Sequence, residues 1–90
     1  MDRTLRECRQ EIDAIDAQLA ELVEKRLELC RETGRVKQRE GLPVSVPERE
    51  AEVLRAAAAR VRKDAYRDAA EHVFRVLMEE SRKLQEADRS

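Results

Sequence analysis

The first forty residues carry a regular pattern of apolar and polar positions. From residue 5 to residue 36 the apolar positions alternate three and four residues apart, so a seven-residue repeat continues for more than four heptads. This repeat predicts one amphipathic helix from about Arg3 to Arg39, roughly 55 Å long. The seam consists of Leu5, Cys8, Ile12, Ile15, Leu19, Leu22, Arg26, Leu29, Thr33 and Val36.

A helix of this length does not fit inside a compact body of 90 residues. Such a body has a radius of gyration of about 12 Å. The helix would therefore extend beyond it, and the apolar seam of the helix would face water. A second copy of the chain supplies the simplest cover for the seam. We therefore expect an obligate, intertwined homodimer with antiparallel long helices.

The residues that break helices are confined to one stretch between positions 34 and 47. Everything outside it can be helical, so the sequence predicts an all-α fold without β-sheet, forming a single domain over residues 1–90. Nothing after residue 85 resembles a further domain, which favours a free-standing protein. The breakers are Gly34, Gly41, Pro43 and Pro47.

Two further helices are predicted after the linker at residues 40–45. Ser45 and Glu48 have the spacing of a capping box, and Pro47 suits a first helical turn, so the second helix is expected to run to about Arg62. Asp64 is a candidate N-cap for the third helix. One stripe of the third helix, spaced four, three and four, consists of Phe74, Met78, Ser81 and Gln85.

Composition narrows the classes of function. Charged residues make up 43% of the chain, but 19 Lys and Arg balance 20 Asp and Glu, so no positive field favours nucleic acid. No apolar run is long enough to predict a helix that spans a membrane, so no membrane is expected as a partner. Two cysteines are too few for a zinc site or a disulfide framework, and the absence of a secretory signal adds to the expectation of a cytoplasmic protein.

Several polar residues occupy positions that packing favours for leucine. Arg26 and Lys37 share a helix face about three turns apart, and Arg9 lies on nearly the same side, about 25 Å from Arg26. One chain cannot bring Arg9 and Arg26 to one small ligand, but an antiparallel partner helix can. The inward set is Arg9, Arg26, Lys37, Arg49, Glu50, Ser81 and Gln85.

Each of these residues also has a simpler explanation. A charge on the seam can fix the register of two packed helices. Lys37, near a helix end, can extend its ammonium group to solvent. Together, however, the set holds four cations, which Glu50 alone cannot neutralise, and buried cations need anionic partners. The set therefore predicts a ligand with two negative charges. No nucleophile–base pair, paired carboxylates, metal cluster or phosphate loop is recognisable, so an enzyme would orient the dianion and stabilise developing charge without a cofactor.

The same residues resemble a known family, the all-helical chorismate mutases, over roughly residues 5–85. The family converts chorismate to prephenate by a Claisen rearrangement, in an intertwined dimer of three-helix protomers. The motifs that carry the resemblance are Arg-x-x-Ile-Asp-x-Ile-Asp at residues 9–16, Arg26, Gly34-x-x-Lys37, Pro43-Val44, Pro47-Glu48-Arg49-Glu50 and Ser81-x-x-x-Gln85.

The resemblance implies how a substrate is bound. Arg26, and Arg9 from the other subunit, would bind the two substrate carboxylates. Arg49 would support Arg26 or the same carboxylate region, and Ser81 would lie near a carboxylate.

The resemblance also implies catalytic roles. Lys37 and Gln85 would hydrogen-bond the ether oxygen that gains negative charge as the C–O bond breaks. Glu50 would accept a hydrogen bond from the ring hydroxyl.

Two positions depart from the family pattern. Val46 stands where many members have Asp, and Thr33 stands where an apolar residue is common near the ring end of the pocket. They leave open two related substrates, 4-amino-4-deoxychorismate in antibiotic pathways and isochorismate in a pyruvate lyase. A non-catalytic helical dimerisation module and a regulatory or docking domain cut from a larger enzyme are also compatible with the sequence.

Overall fold

The computed structural model describes residues 2–90, and these form three α-helices and one short 3₁₀ turn. Helix α1 spans Leu5–Arg39, α2 spans Pro47–Arg60, and α3 spans Arg67–Asp88, with the 3₁₀ turn at Asp64–Tyr66. No strand occurs within residues 2–90, so the all-α prediction is confirmed. None of the helices described has the length and apolar character required to cross a bilayer.

The chain is elongated because α1 extends well beyond the rest of the molecule. Helix α3 packs against both α2 and the C-terminal half of α1. The molecule measures 59 × 25 × 14 Å, with a radius of gyration of 16.6 Å rather than the roughly 12 Å of a compact chain of this length. Between Asp2 and Lys25, every side chain except Cys8 is exposed.

The apolar seam of α1 has no cover within one chain. Its large side chains are between 40% and 65% exposed. A continuous apolar surface of this kind is unusual on a monomer and is typical of an interface. The exposed seam residues are Leu5, Ile12, Ile15, Leu19, Leu22, Leu29 and Val36.

Helix α1 ends at a glycine, as the breaker pattern suggested. Gly41 has a φ of 73°, the left-handed conformation that glycine adopts without strain. The N–H groups of Gly41 and Leu42 donate to the carbonyls of Gln38 and Lys37, the Schellman arrangement that closes a helix. Gly34, by contrast, lies inside the helix without interrupting it.

The predicted capping box at the start of α2 is wrong. The N-cap is Val46, not Ser45, and no side chain caps this helix. Pro47 occupies the first helical position and holds the preceding residue in extended conformation, which makes that residue the cap. Ser45 therefore lies one position before the cap, and Glu48 lies at the second helical position instead of the third, so the two do not form a capping box.

Helix α2 ends at Arg60, close to the expected end near Arg62, but Asp64 is not the N-cap of α3. It begins the 3₁₀ turn, and its carboxylate pairs at 2.5 Å with the guanidinium of Arg67, the first residue of α3. That ion pair takes the place of a bond from Asp64 to the helix N–H groups.

Two residues at the end of α3 attach it to its surroundings. Arg31 on α1 donates two hydrogen bonds to Asp88, at 3.0 and 2.6 Å. These bonds lower the pKa of Asp88 and raise that of Arg31. Arg89 donates to the carbonyl of Leu42 in the linker at 2.6 Å. These bonds join the end of α3 to α1 and to the linker.

Glycine at position 34 allows α3 to approach α1 closely. Gly34 is buried, and a Cβ atom there would lie only 2.6 Å from Cγ of Gln85. Gln85 is itself 5% exposed and donates from Nε2 to the carbonyl of Cys30 at 2.6 Å. The side chain of Gln85 therefore fills the space that any larger residue at 34 would need.

Replacing Gly34 with Ala should lower the thermal unfolding midpoint, although alanine favours a helix interior by about 1 kcal/mol. Overpacking against Gln85 costs about 1–3 kcal/mol and outweighs that gain. Circular dichroism melts of Gly34→Ala in the wild-type and Gln85→Ser backgrounds test this prediction. In the second background the Cγ atom is replaced by a smaller oxygen, so the loss should shrink or reverse. A stabilised Gly34→Ala single variant would contradict the tight contact.

Candidate functional site

A pocket of about 210 Å³ lies between the three helices and the linker. Its volume is below the roughly 300 Å³ at which pockets for drug-sized ligands begin, so it suits a small ligand. Helices α1, α2 and α3 and the linker all contribute side chains. The lining residues are Arg26, Cys30, Thr33, Lys37, Val44, Val46, Arg49, Glu50, Val53, Met78, Ser81, Arg82 and Gln85.

Arg26 projects from α1 into the pocket and is held by neutral groups only. Its Nη1 atom lies 3.4 Å from Oγ of Ser81 and 3.7 Å from Sγ of Cys30, and its guanidinium carbon lies 5.8 Å from the centre of the Phe74 ring. The Ser81 hydroxyl donates to the carbonyl of Leu77 at 2.8 Å, so its oxygen can accept from Arg26. Ser81 therefore orients Arg26.

Lys37 has the same kind of surroundings. Its ammonium donates to the carbonyl of Val44 at 2.8 Å and to Oε1 of Gln85 at 3.1 Å. Within the described part of the chain, no carboxylate lies within ion-pair distance of Lys37 or Arg26. Two half-buried cations thus face the pocket without a negative charge beside them.

Glu50 supplies the one carboxylate of the lining. It lies in the first turn of α2 and forms an ion pair with Arg82 of α3, with side chains 27% and 34% exposed. Arg49 is more exposed, at 71%, and its guanidinium pairs with Glu52 at 2.8 Å. The pocket lining therefore holds four cations and one carboxylate, and it attracts anions.

Thr33 and Val46, the two positions that depart from the family pattern, both line the pocket. The Thr33 hydroxyl donates to the carbonyl of Leu29 at 2.9 Å, so its hydrogen is already used within α1. Val46 is half-buried and apolar at the start of α2. Neither side chain adds a charge or a free donor to this part of the pocket.

The structure brings together eight of the nine residues that the sequence singled out for a site. The ninth, Arg9, is exposed on the free half of α1 and does not line the pocket. About 25 Å of helix separates it from Arg26, so this chain cannot bring both to one ligand. The eight are Arg26, Thr33, Lys37, Val46, Arg49, Glu50, Ser81 and Gln85.

Sequence reasoning missed Arg82. The residue lies four positions after Met78 on α3, so helical spacing places it beside the inward stripe. Its pairing with Glu50 depends on how α2 lies against α3, which the sequence alone does not give. One signal was available in the sequence. Glu50 was the only carboxylate in the inward set, so a basic residue beside the inward stripe, such as Arg82, was a candidate partner for it.

The arrangement fits binding and electrostatic chemistry. Arg26 and Lys37 present guanidinium and ammonium donors to the same cavity, held in place by hydrogen bonds to neutral groups. Preorganised donors of this kind stabilise charge that develops on a bound ligand. Among residues 2–90, no group of three or more His, Cys, Asp and Glu side chains is placed to hold a metal ion.

Comparisons with known proteins give a matching family and several similar proteins. A family model described as chorismate mutase type II matches residues 8–86. The T-protein of Haemophilus influenzae is 42% identical over 78 residues, which cover 86% of this chain and 21% of that protein. The bifunctional chorismate mutase/prephenate dehydratase of Aquifex aeolicus is 34% identical over 79 residues, covering 82% of this chain and 22% of that protein. This chain thus spans about a fifth of the length of these curated relatives.

A solved structure is similar over nearly its whole length. It is a conserved hypothetical protein from Pyrococcus furiosus with a TM-score of 0.75 and 35% identity, and the alignment covers 94% of this chain and 99% of that one. The similarity supports the arrangement of three helices that forms the pocket. With a family match over residues 8–86 and a pocket built from the motifs of that family, this chain belongs to the chorismate mutase type II family.

Proposed function

We propose that this chain catalyses the rearrangement of chorismate to prephenate. The observation that carries the proposal is the pair of half-buried cations, Arg26 and Lys37, whose hydrogen bonds go only to neutral groups. Chorismate is a small dianion, so its carboxylates and its ether oxygen supply the negative charge that this pocket lacks. Family membership and the activity named for the Aquifex aeolicus relative support the same reaction.

The reaction requires positioning and charge stabilisation. Within one molecule, the ether C–O bond breaks while a new C–C bond forms, and no atom, proton or electron leaves the substrate. The pocket therefore needs to hold the substrate in a reactive conformation and to stabilise the negative charge that grows on the ether oxygen. No nucleophile or base is needed.

Lys37 is the main donor for that oxygen. An ammonium has three N–H donors, and two are directed to Val44 and Gln85, which leaves one for a ligand. The Gln85 amide uses one N–H on the Cys30 carbonyl, so its second N–H is available as well. Gln85 thus has two roles: it orients Lys37 through its oxygen and assists the ether oxygen through its nitrogen.

Arg26 binds one carboxylate. A guanidinium has five N–H donors in a planar fork, and one nitrogen is occupied by Ser81 and Cys30. The remaining donors suit the bidentate geometry that carboxylates favour. Arg49 lies at the exposed edge of the pocket, where it adds positive potential near the same group.

Arg9 of a partner subunit binds the second carboxylate. The exposed seam of α1 supports a dimer, since packing two such seams together removes its large apolar side chains from water. Antiparallel packing brings the N-terminal half of one α1 to the C-terminal half of the other. In that arrangement Arg9 of one chain reaches the pocket that Arg26 marks in the other.

The purified protein should consume chorismate and form prephenate, followed by the loss of chorismate absorbance. Arg26→Ala should reduce kcat/KM by about 100-fold or more, because a lost donor to developing or desolvated charge is worth about 3 kcal/mol. Arg55→Ala serves as the control, since Arg55 is exposed on α2 and does not line the pocket. No turnover by the wild type, at protein concentrations where it is fully helical, would reject the proposed function.

Arg9→Ala and Arg26→Ala should each be nearly inactive, and refolding them together should restore activity. Random pairing makes half of the dimers mixed, and each mixed dimer has one intact site, so about a quarter of wild-type activity is expected. Each variant refolded alone is the control. No recovery, although mixed dimers form, would contradict a site shared between two subunits, and an active Arg9→Ala variant would mean that Arg9 is not needed.

Gln85→Glu should confine activity to acid pH. When ionised, the new carboxylate would repel both the Cys30 carbonyl and the developing charge on the ether oxygen. When protonated, it can donate as the amide does. A pH–rate series on wild type and variant tests this prediction, with unfolding curves at each pH to separate stability from rate. Superimposable profiles would place Gln85 outside the reacting region.

A further inference from the structure

Glu50 and Arg82 form an ion pair within the pocket lining, whereas Arg26 and Lys37 have no carboxylate beside them. Glu50 is the sole carboxylate among the residues that line the pocket, and Arg82 reaches it from α3. A ligand that carries a hydrogen-bond donor on its ring will find its only charged acceptor at Glu50. Whether Glu50 is paired with Arg82 therefore decides which kind of donor the pocket accepts.

Arg82 neutralises Glu50 on the pocket side. With the pair formed, a neutral hydroxyl can still donate to a free lone pair of the carboxylate. An ammonium group at the same place meets the positive charge of Arg82, and the lining holds two further cations, Arg26 and Lys37, that have no carboxylate beside them. Like charges close together in a partly buried site are unfavourable, so the pair selects against a cationic ligand group.

We infer that Arg82 is a specificity-determining residue, which makes the pocket prefer a dianion with a neutral ring hydroxyl over one with a ring ammonium. The inference rests on the proposed function and narrows its substrate class. A purely structural role, in which the pair only tethers α2 to α3, predicts equal effects on both kinds of ligand.

Chorismate and 4-amino-4-deoxychorismate are the two probes, because the second carries an amine that is protonated at neutral pH in place of the hydroxyl. Arg82→Met keeps most of the side-chain stem but removes the charge. The ratio of kcat/KM for the two substrates should shift toward the amino compound by about tenfold, because charge-assisted hydrogen bonds to a bare carboxylate are roughly twice as strong as neutral ones. Arg82→Lys should keep the wild-type ratio.

Two further variants separate the explanations. Glu50→Gln leaves Arg82 without its partner, so the ratio should move the opposite way, toward chorismate; this variant also keeps the inference testable if Arg82→Met does not fold. Arg75→Met removes the same charge from an exposed position on α3 outside the pocket and should leave the ratio unchanged. Equal losses for both substrates in Arg82→Met, or an equal shift in Arg75→Met, would overturn the inference.

Calorimetry distinguishes failure of the inference from failure of the proposed function. If the wild type binds both compounds but rearranges neither, the proposed function fails, and the ratio of the two dissociation constants still measures the effect of Arg82. A tenfold shift of that ratio in Arg82→Met supports the inference without turnover, and an unchanged ratio rejects it. If the wild type binds neither compound, both proposals are rejected.

Discussion

Gln85 contacts Gly34 across the interface between α3 and α1, and the geometry of the pocket depends on that contact. The absence of a Cβ at position 34 lets the amide of Gln85 enter the helix interface, where it joins the Cys30 carbonyl to the ammonium of Lys37. A buried amide is stable only with its hydrogen bonds satisfied. The residue that holds the two helices together is therefore also the residue that fixes the direction of Lys37.

The length of α1 serves the fold and the site in different ways. Its C-terminal half packs on α3 and supplies Arg26 and Lys37, whereas every side chain of its N-terminal half except Cys8 is exposed. A small domain buries little surface by itself, so a free half-helix with an apolar seam is unfavourable unless a partner covers it. The same geometry separates Arg9 from the pocket. Stability and a complete site would then both require the second copy.

Helical periodicity was the part of the fold that the sequence predicted well. The heptad repeat of α1 and the stripe from Phe74 to Gln85 depend on spacing alone, and the structure places both in helices of the expected extent. Contacts between helices were harder to predict from the sequence. The pairing of Glu50 with Arg82, for example, depends on how α2 packs against α3. The start of α2 was misplaced because the conformational restriction before Pro47 dominated over the preference of Ser45 for a cap. The place of Arg9 in a site is not settled by one chain, because about 25 Å of helix separates Arg9 from Arg26.

The distribution of charge in the pocket would suit a dianion, because no carboxylate of the described chain is paired with Arg26 or Lys37. A carboxylate beside Arg26 or Lys37 would lower the energy of the empty pocket, but a ligand would then have to compete with it and leave it unpaired. Hydrogen bonds to Ser81, Val44 and Gln85 orient the two cations while leaving their charge uncompensated. The single carboxylate is instead paired with Arg82, a cation from another helix, so it adds an acceptor without cancelling the field of Arg26 and Lys37. The pocket thereby keeps its attraction for anions, and the ion pair between Glu50 and Arg82 links α2 to α3.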